Sequence, residues 1–396
     1  MKMKNKDKFC LRALGGTDVS VPDPSLINLQ KLWALKNPYD YKASDTYFVN
    51  AIRETTKYHY KRNSFYKYLL DSNNFDPEKI ENIEDIKRIP FLHANFYKTH
   101  TVKTVKQEDT ILHLTSSGTT GQKTQMFFDD WTLFAADKSA DVQFDYQGYI
   151  SNNPTNFLLY SYQPAPGVFL GTLRSDQLLM RYAKKKNVEY GLKYTGSGHK
   201  FDLFGCINTL LKYEKEGLPV YILGFPAFLY VTLESMREMG YPPLKLNPKS
   251  KILTGGGWKG FTGKQLSSAE FRAYIKERLG LAESCCCDTY GAVEHGIAYM
   301  ECKNHHLHVP IYSRAFVRDT KTLEVLPYGK PGFLNVISPF NTAVPVVSLI
   351  LGDMVIMHKG EDCGCGINTP WFEIIGRAGV SKNKSCAIAA SELLKK

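Results

Sequence analysis

No run of about 18 or more apolar residues occurs in this 396-residue chain, which argues against a helical membrane span. The basic start, MKMKNKDKFCLRALGG, has no apolar segment and no cleavage site, so it lacks the form of a secretory signal. Internal repeats and low-complexity tracts are also missing, which sets aside collagen-like and disordered classes. The formal charge is +11, yet the lysines are dispersed and form no nucleic-acid-binding motif. That charge fits either a solubilising surface or a general attraction for anions. The nine cysteines, three of them adjacent at Cys285, Cys286 and Cys287, show no even spacing of paired thiols. The pattern suits reduced thiols in the cytoplasm.

What is present is a globular balance, 43% hydrophobic and 22% charged, enough for one large core or two domains. Residues 1–85 form a helical region on pattern. SDTYFVNAIRETTKYHYKRNSFYKYLLDS has apolar residues at helical spacing, and PEKIENIEDIKRIP predicts a short amphipathic helix stopped by Pro90. ILHL, ending at Leu114, predicts a buried strand. Beyond it, apolar runs (NFLLYSY, VYILGF, SKILTGGG, FLNVISPF) alternate with helical stretches (WTLFAADKSADVQFDY, IKERLGLAE). That alternation predicts an α/β fold with mixed or parallel sheets. The triple cysteine is expected to pack within a strand.

HLTSSGTTGQKT, directly after the ILHL strand, gathers hydroxyls and glycines: Thr115, Ser116, Ser117, Gly118, Thr119, Thr120 and Gly121, followed by Lys123. Glycines let backbone N–H groups approach phosphate oxygens, and the hydroxyls add donors. It is not a Walker A loop, because Gln122 separates Gly121 from the lysine.

Here the chain resembles the adenylate-forming superfamily, whose loop has the form T-S-G-T-T-G-x-P-K. Four further patches follow in that family's order: TGGG at Thr254 to Gly257, DTYGAVEHG around Tyr290 and Gly291, LGDM at Asp353, and EIIGRAG at Arg377. The pattern departs at Val293 and Leu351, where the family carries threonine. The resemblance implies the superfamily's large N-terminal domain, with mixed sheets and flanking helices. It implies that the loop from Thr115 to Lys123 holds ATP phosphates. Gly255, Gly256, Gly257, Tyr290 and Gly291 would lie against adenine. Asp353 would bind the ribose, helped by Arg377, and Glu294 would carry magnesium. The chemistry implied is attack of a carboxylate on the α-phosphorus of ATP, releasing pyrophosphate and leaving an acyl-adenylate. Taken alone, Asp353 also suits a turn, and Arg377 and Glu294 suit surface ion pairs.

The superfamily's small C-terminal domain is expected to be missing or reduced to a tail. The sequence gives 19 residues after Arg377, too few to supply that domain's lysine. Lys382 and Lys384 are candidates for its role. Cys386 opens a short helix-forming run behind these two lysines, and nearby cations and a helix N-terminus lower a thiol pKa. The Gly/Ser/Asn-rich linker before it would let it swing, although Cys386 also suits a small residue docking a terminal helix. The resemblance narrows on IPFLHANFYKTH, TGGGWK, YGAVEHG and GRAGVSKNKSCAIAASELL. These are similar to the acyl-protein synthetases of bacterial luminescence operons. That resemblance implies transfer of a long-chain fatty acyl group to Cys386 and on to a reductase subunit. The expected organisation is a helical region at 1–85, an adenylate-forming core at 86–375 and a mobile tail at 376–396. An acyl- or aryl-CoA ligase and a catalytically silent adenylate-binding scaffold are the alternatives.

Cys302, His308, Cys363 and Cys365 stand at candidate zinc spacing, with His305 or His306 as substitutes for His308. Such a set is a closed structural site. The phenylacetate-CoA ligase branch of the superfamily has a similar arrangement.

Overall fold

The computed structural model describes residues 19–115, 124–166, 171–258 and 265–377. They fall into two units, one made of residues 19–146 and 291–377, the other of residues 147–290.

In the composite unit the stretch with helical spacing forms two helices, Tyr41–Arg62 and Ser64–Ser72. Asn63 separates them in an extended conformation, and its side chain accepts from the Tyr66 amide at 2.9 Å. A local side-chain acceptor favours a helix start over continuation. The predicted amphipathic helix before Pro90 is likewise a 3-10 turn, Pro77–Lys79, and a five-residue helix, Ile83–Lys87, with Asn82 and Asp85 forming a capping box.

These helices share one core with helix Asp130–Tyr146 and with Ile311, Tyr312, Ile337 and Val347. Trp33 and Trp131 sit within it. Their indole N–H groups donate to the carbonyls of Ala135 and Phe340, so burial leaves neither donor unpaired. The sheet runs Leu307–His308, Trp371–Arg377, Ser348–His358, Pro331–Ile337, Arg314–Arg318 in space. These neighbours are antiparallel, and Leu92–His93 adds in parallel beside Leu349 and Ile350.

The ILHL expectation is corrected. Leu112–Thr115 is a strand, but it pairs with Gln125–Phe128 as a hairpin, with His113 exposed and Leu112 and Leu114 half-buried. A two-stranded ribbon has no second layer to cover both faces.

In the other unit the strands lie in the order Cys286–Ala292, Lys251–Gly255, Val220–Gly224, Ser151–Tyr162, Ala183–Tyr194, His199–Phe201. The pairs are parallel except the last. Connecting helices such as Leu203–Glu216, Pro226–Glu238 and Ser268–Leu279 contribute Leu210, Leu233 and Ile275 to a core with Leu158, Ile222 and Ile252. Apolar runs buried on both faces are what parallel sheets require. Cys285 lies in a 3-10 turn, while Cys286 and Cys287 open the strand; all three are buried, in keeping with a packing role. Chain order reverses between Ser151–Tyr162 and Val220–Gly224, the switch point outside which ligands bind in open α/β sheets.

Candidate functional site

The hairpin register pairs Thr115 with Gln125, so the loop of hydroxyls and glycines springs from two hydrogen-bonded strands. Ser116, Ser117, Gly118, Thr119, Thr120, Gly121 and Lys123 lie outside the described residues, as does Cys386. Thr124, the first described residue after the loop, is buried and donates from Oγ1 to Glu294 Oε1 at 2.6 Å. Glu294 is 8% exposed. A buried carboxylate with a hydroxyl beside it is an oxygen-only donor set, the kind magnesium prefers. Thr124 was not singled out from sequence. Its place beside the loop was visible, but its partner is 170 residues away. Asp129, five residues on, accepts from the Thr132 amide and the Thr342 hydroxyl and fixes the entry to helix Asp130–Tyr146.

Asp353 lies on the long strand Ser348–His358, directly across from Arg377 in the ladder. Arg377 Nε is 3.7 Å from Asp353 Oδ1, with the arginine side chain 67% exposed and the aspartate 15%. At that separation, with the arginine solvated, this ion pair contributes little stability by itself. The register slips between Met354 and Val355, next to Asp353. Bulges of this kind re-aim side chains beside sites.

In the unit 147–290, strand Lys251–Gly255 ends in the glycine turn. Gly256 and Gly257 have φ of 76° and 65°, a conformation that disfavours other residues. Thr254 donates to Asp288, and Thr289 donates back to the Thr254 carbonyl, which ties this turn to the strand bearing Tyr290. Tyr290 is half-buried; Gly291 is exposed with open space around it. At the switch point Phe225 donates its amide to the Tyr160 carbonyl. Gly224, with φ 114°, passes so close to Tyr160 that a β-carbon would collide. Tyr162, Phe225 and Phe228 gather there, with ring centroids 6.0 and 6.2 Å apart.

The cysteine–histidine set comes together from strands and turns up to 63 residues apart. The ligand atoms of Cys302, His308, Cys363 and Cys365 all lie within 4.8 Å of one another. Amides two residues on, Asn304 and Ile367, point at the sulfurs of Cys302 and Cys365. His308 Nδ1 donates to the Thr369 carbonyl at 2.7 Å, which leaves Nε2 facing Cys365 at 3.4 Å. That second hydrogen bond fixes the tautomer a metal needs. Burial holds His308 near 4, so it stays neutral, and pushes Cys363 up to about 12 and Cys302 upward, as expected for crowded thiols without a cation. Of the two substitutes, His305 turns away and His306 stays at the edge of the set. His305 faces Glu301, and His306 stacks on Trp371 while reaching Cys363 with Nδ1.

The family model described as acyl-protein synthetase, LuxE, matches residues 34–395. The chain belongs to that family. The long-chain-fatty-acid–luciferin-component ligases of Aliivibrio fischeri and Vibrio harveyi are each 24% identical to this acyl-protein synthetase family member. The first match covers 87% of the chain and 88% of the relative, the second 86% of both. Among solved structures, 2-hydroxyisobutyryl-CoA ligase in an open conformation superposes with a TM-score of 0.65 at 16% identity. It covers 92% of this chain and 82% of that one. The fold is thus the α/β adenylate-forming fold expected, and the family is one of AMP-forming ligases. Among the described residues no helix is long and apolar enough to cross a membrane.

Proposed function

We propose that this chain activates a long-chain fatty acid with ATP, takes the acyl group onto Cys386 and passes it to a reductase subunit. The observation that carries the reading is the family match through residue 395, which takes in Cys386. The names of the two ligases support the fatty-acid substrate. The chain's own residues then have these tasks. The loop from Thr115 to Gly121, with Lys123, holds the phosphates. Gly255, Gly256, Gly257, Tyr290 and Gly291 hold adenine. Asp353 accepts hydrogen bonds from the ribose hydroxyls, and Arg377 stays near it to orient the sugar. Tyr162, Phe225 and Phe228 offer an apolar wall for the acyl chain.

The fatty carboxylate attacks the α-phosphorus, pyrophosphate leaves, and the acyl-adenylate carbonyl becomes the target of sulfur. The Cys386 thiolate adds to that carbonyl and AMP departs, giving a thioester. Lys382 and Lys384 favour the thiolate by their charge. Glu294 with Thr124 would hold magnesium, which would offset charge on the phosphates. Cys302, His308, Cys363 and Cys365 would hold a structural zinc ion, since four soft or imidazole donors fit a tetrahedral site. We place the reaction in the cytoplasm, where thiols remain reduced.

Incubation with ATP, magnesium and labelled tetradecanoate should leave a hydroxylamine-labile label on the protein. Cys386→Ser should keep ATP–pyrophosphate exchange and lose all the label. Label that persists in this variant would place the acceptor elsewhere. Release of the label as acyl-CoA, with none on protein, would favour a CoA ligase.

A further inference from the structure

Arg318 ends strand Arg314–Arg318 and is 6% exposed. Its guanidinium donates to three neutral acceptors: Asn335 Oδ1 at 2.8 Å, the Leu323 carbonyl at 2.9 Å and the Lys87 carbonyl at 2.6 Å. It stacks over the Phe91 ring at 4.6 Å. Among the described residues no carboxylate stands within ion-pair distance of it. The nearby acids Glu84 and Asp85 are engaged by Lys87 and Arg88. Burial draws Arg318 down to about 10, so it remains a cation at neutral pH. A buried cation without a counter-charge is costly, and a guanidinium has five N–H donors, more than the three used here.

Arg318 lines an open pocket of about 860 Å³, within the roughly 300–1,000 Å³ range of small-molecule sites. Ile89, Phe91, Leu323 and Val325 supply an apolar wall. Leu323 is held at φ 61°, a left-handed conformation unusual for a bulky side chain, and its carbonyl is one of the Arg318 acceptors. Glu84 and Asp85 also line the pocket but are paired there with Lys87 and Arg88, and Glu324 lies at its exposed edge. One buried cation beside an apolar wall selects a singly charged amphiphile.

We infer that this pocket is a second ligand site, binding a carboxylate with an apolar chain: the head on Arg318, the chain along Phe91 and Val325. The site is separate from the residues assigned to nucleotide and acyl transfer; of the two equivalents expected below, the first rests on the proposed function and the second belongs to this pocket.

Equilibrium dialysis of the full chain with labelled decanoate, without ATP, tests it. Wild type should bind two equivalents per chain. Arg318→Gln should weaken one of them roughly tenfold to a hundredfold, the loss of charge-assisted hydrogen bonds. Val325→Trp, which fills the pocket from its half-buried edge, should remove the same site and leave ATP–pyrophosphate exchange unchanged. Acetate and decanol should displace label from that site at least tenfold less well than decanoate. No binding in wild type, binding that Arg318→Gln and Val325→Trp both leave undiminished, or decanol competing as well as decanoate would each overturn the inference, whereas a single equivalent that both variants abolish would count against the acyl site instead.

Discussion

In the unit 147–290, parallel strands carry Leu158, Ile222 and Ile252 into an apolar core capped by helices. The composite unit, by contrast, buries His59, Asp129, Glu294, Asn335 and Asn341 beside its apolar cluster, each with named hydrogen-bond partners. The first arrangement rests on area removed from water, which tolerates change of detail. The second rests on directional partners, and loss of one leaves the other stranded. The two units should therefore answer differently to mutation, metal removal and pH.

The largest expected effect is on nucleotide chemistry. Asp353→Ala removes the acceptor assigned to two ribose hydroxyls and should lower ATP–pyrophosphate exchange by about two to four orders of magnitude. Exchange at the wild-type rate would remove Asp353 from the site.

Next comes the cysteine–histidine set. Elemental analysis should find about one zinc per chain. Chelation, or Cys363→Ala, should cost several kcal/mol. Amide exchange should rise in Leu307–His308 and Trp371–Arg377 while Val220–Gly224 keeps its protection. Metal-free wild type with unaltered protection in both units would break the contrast.

Two buried groups then predict opposite pH responses. His59 Nε2 donates to the Asn341 carbonyl, Nδ1 accepts from Thr104, and full burial drives the ring to about 4. The unfolded ring takes a proton near 6.5 while the folded one resists. The composite unit should thus lose on the order of 3 kcal/mol as pH falls from about 6.5 to 4. Asp176, on helix Gly171–Leu179, is 6% exposed, with Oδ2 unpaired, and burial raises it to about 7. Its folded pKa lies above the unfolded one, so the unit 147–290 should lose stability as pH rises from about 4 to 7. Unit-resolved amide exchange across pH 4–8 reads both slopes, and parallel slopes would contradict the assignment.

Asp176→Asn gives the smallest change. It keeps the shape of the neutral acid, should flatten the alkaline slope and should add about 1–3 kcal/mol at pH 8. No gain there would mean the carboxyl finds a compensating partner.

How far these features were legible in sequence follows from their range. The apolar runs NFLLYSY, VYILGF and SKILT lie inside the central strands, to within a residue, because burial on both faces leaves a local signature. The glycine turn was legible for the same reason: Gly256 and Gly257 need an unusual backbone. The division at Asn63 was hidden because the helical apolar spacing runs on through it, although asparagine prefers a cap to a helix interior. The hairpin at Leu112–Thr115 carried an apolar pattern without the covering layer that burial requires. Asp353 and Arg377 were found by motif, but their cross-strand register depends on a bulge that composition does not encode. The link from Thr124 to Glu294 spans 170 residues and has no local trace.

Trp371 lies between the imidazoles of His306 and His358, with centroids 3.7 and 4.0 Å away and planes nearly parallel. His306 in turn touches Cys363. This indole is thus a built-in optical gauge. Its fluorescence should brighten or dim as the four-ligand cluster fills or empties, with no dye attached and no chemistry imposed on the nucleotide side.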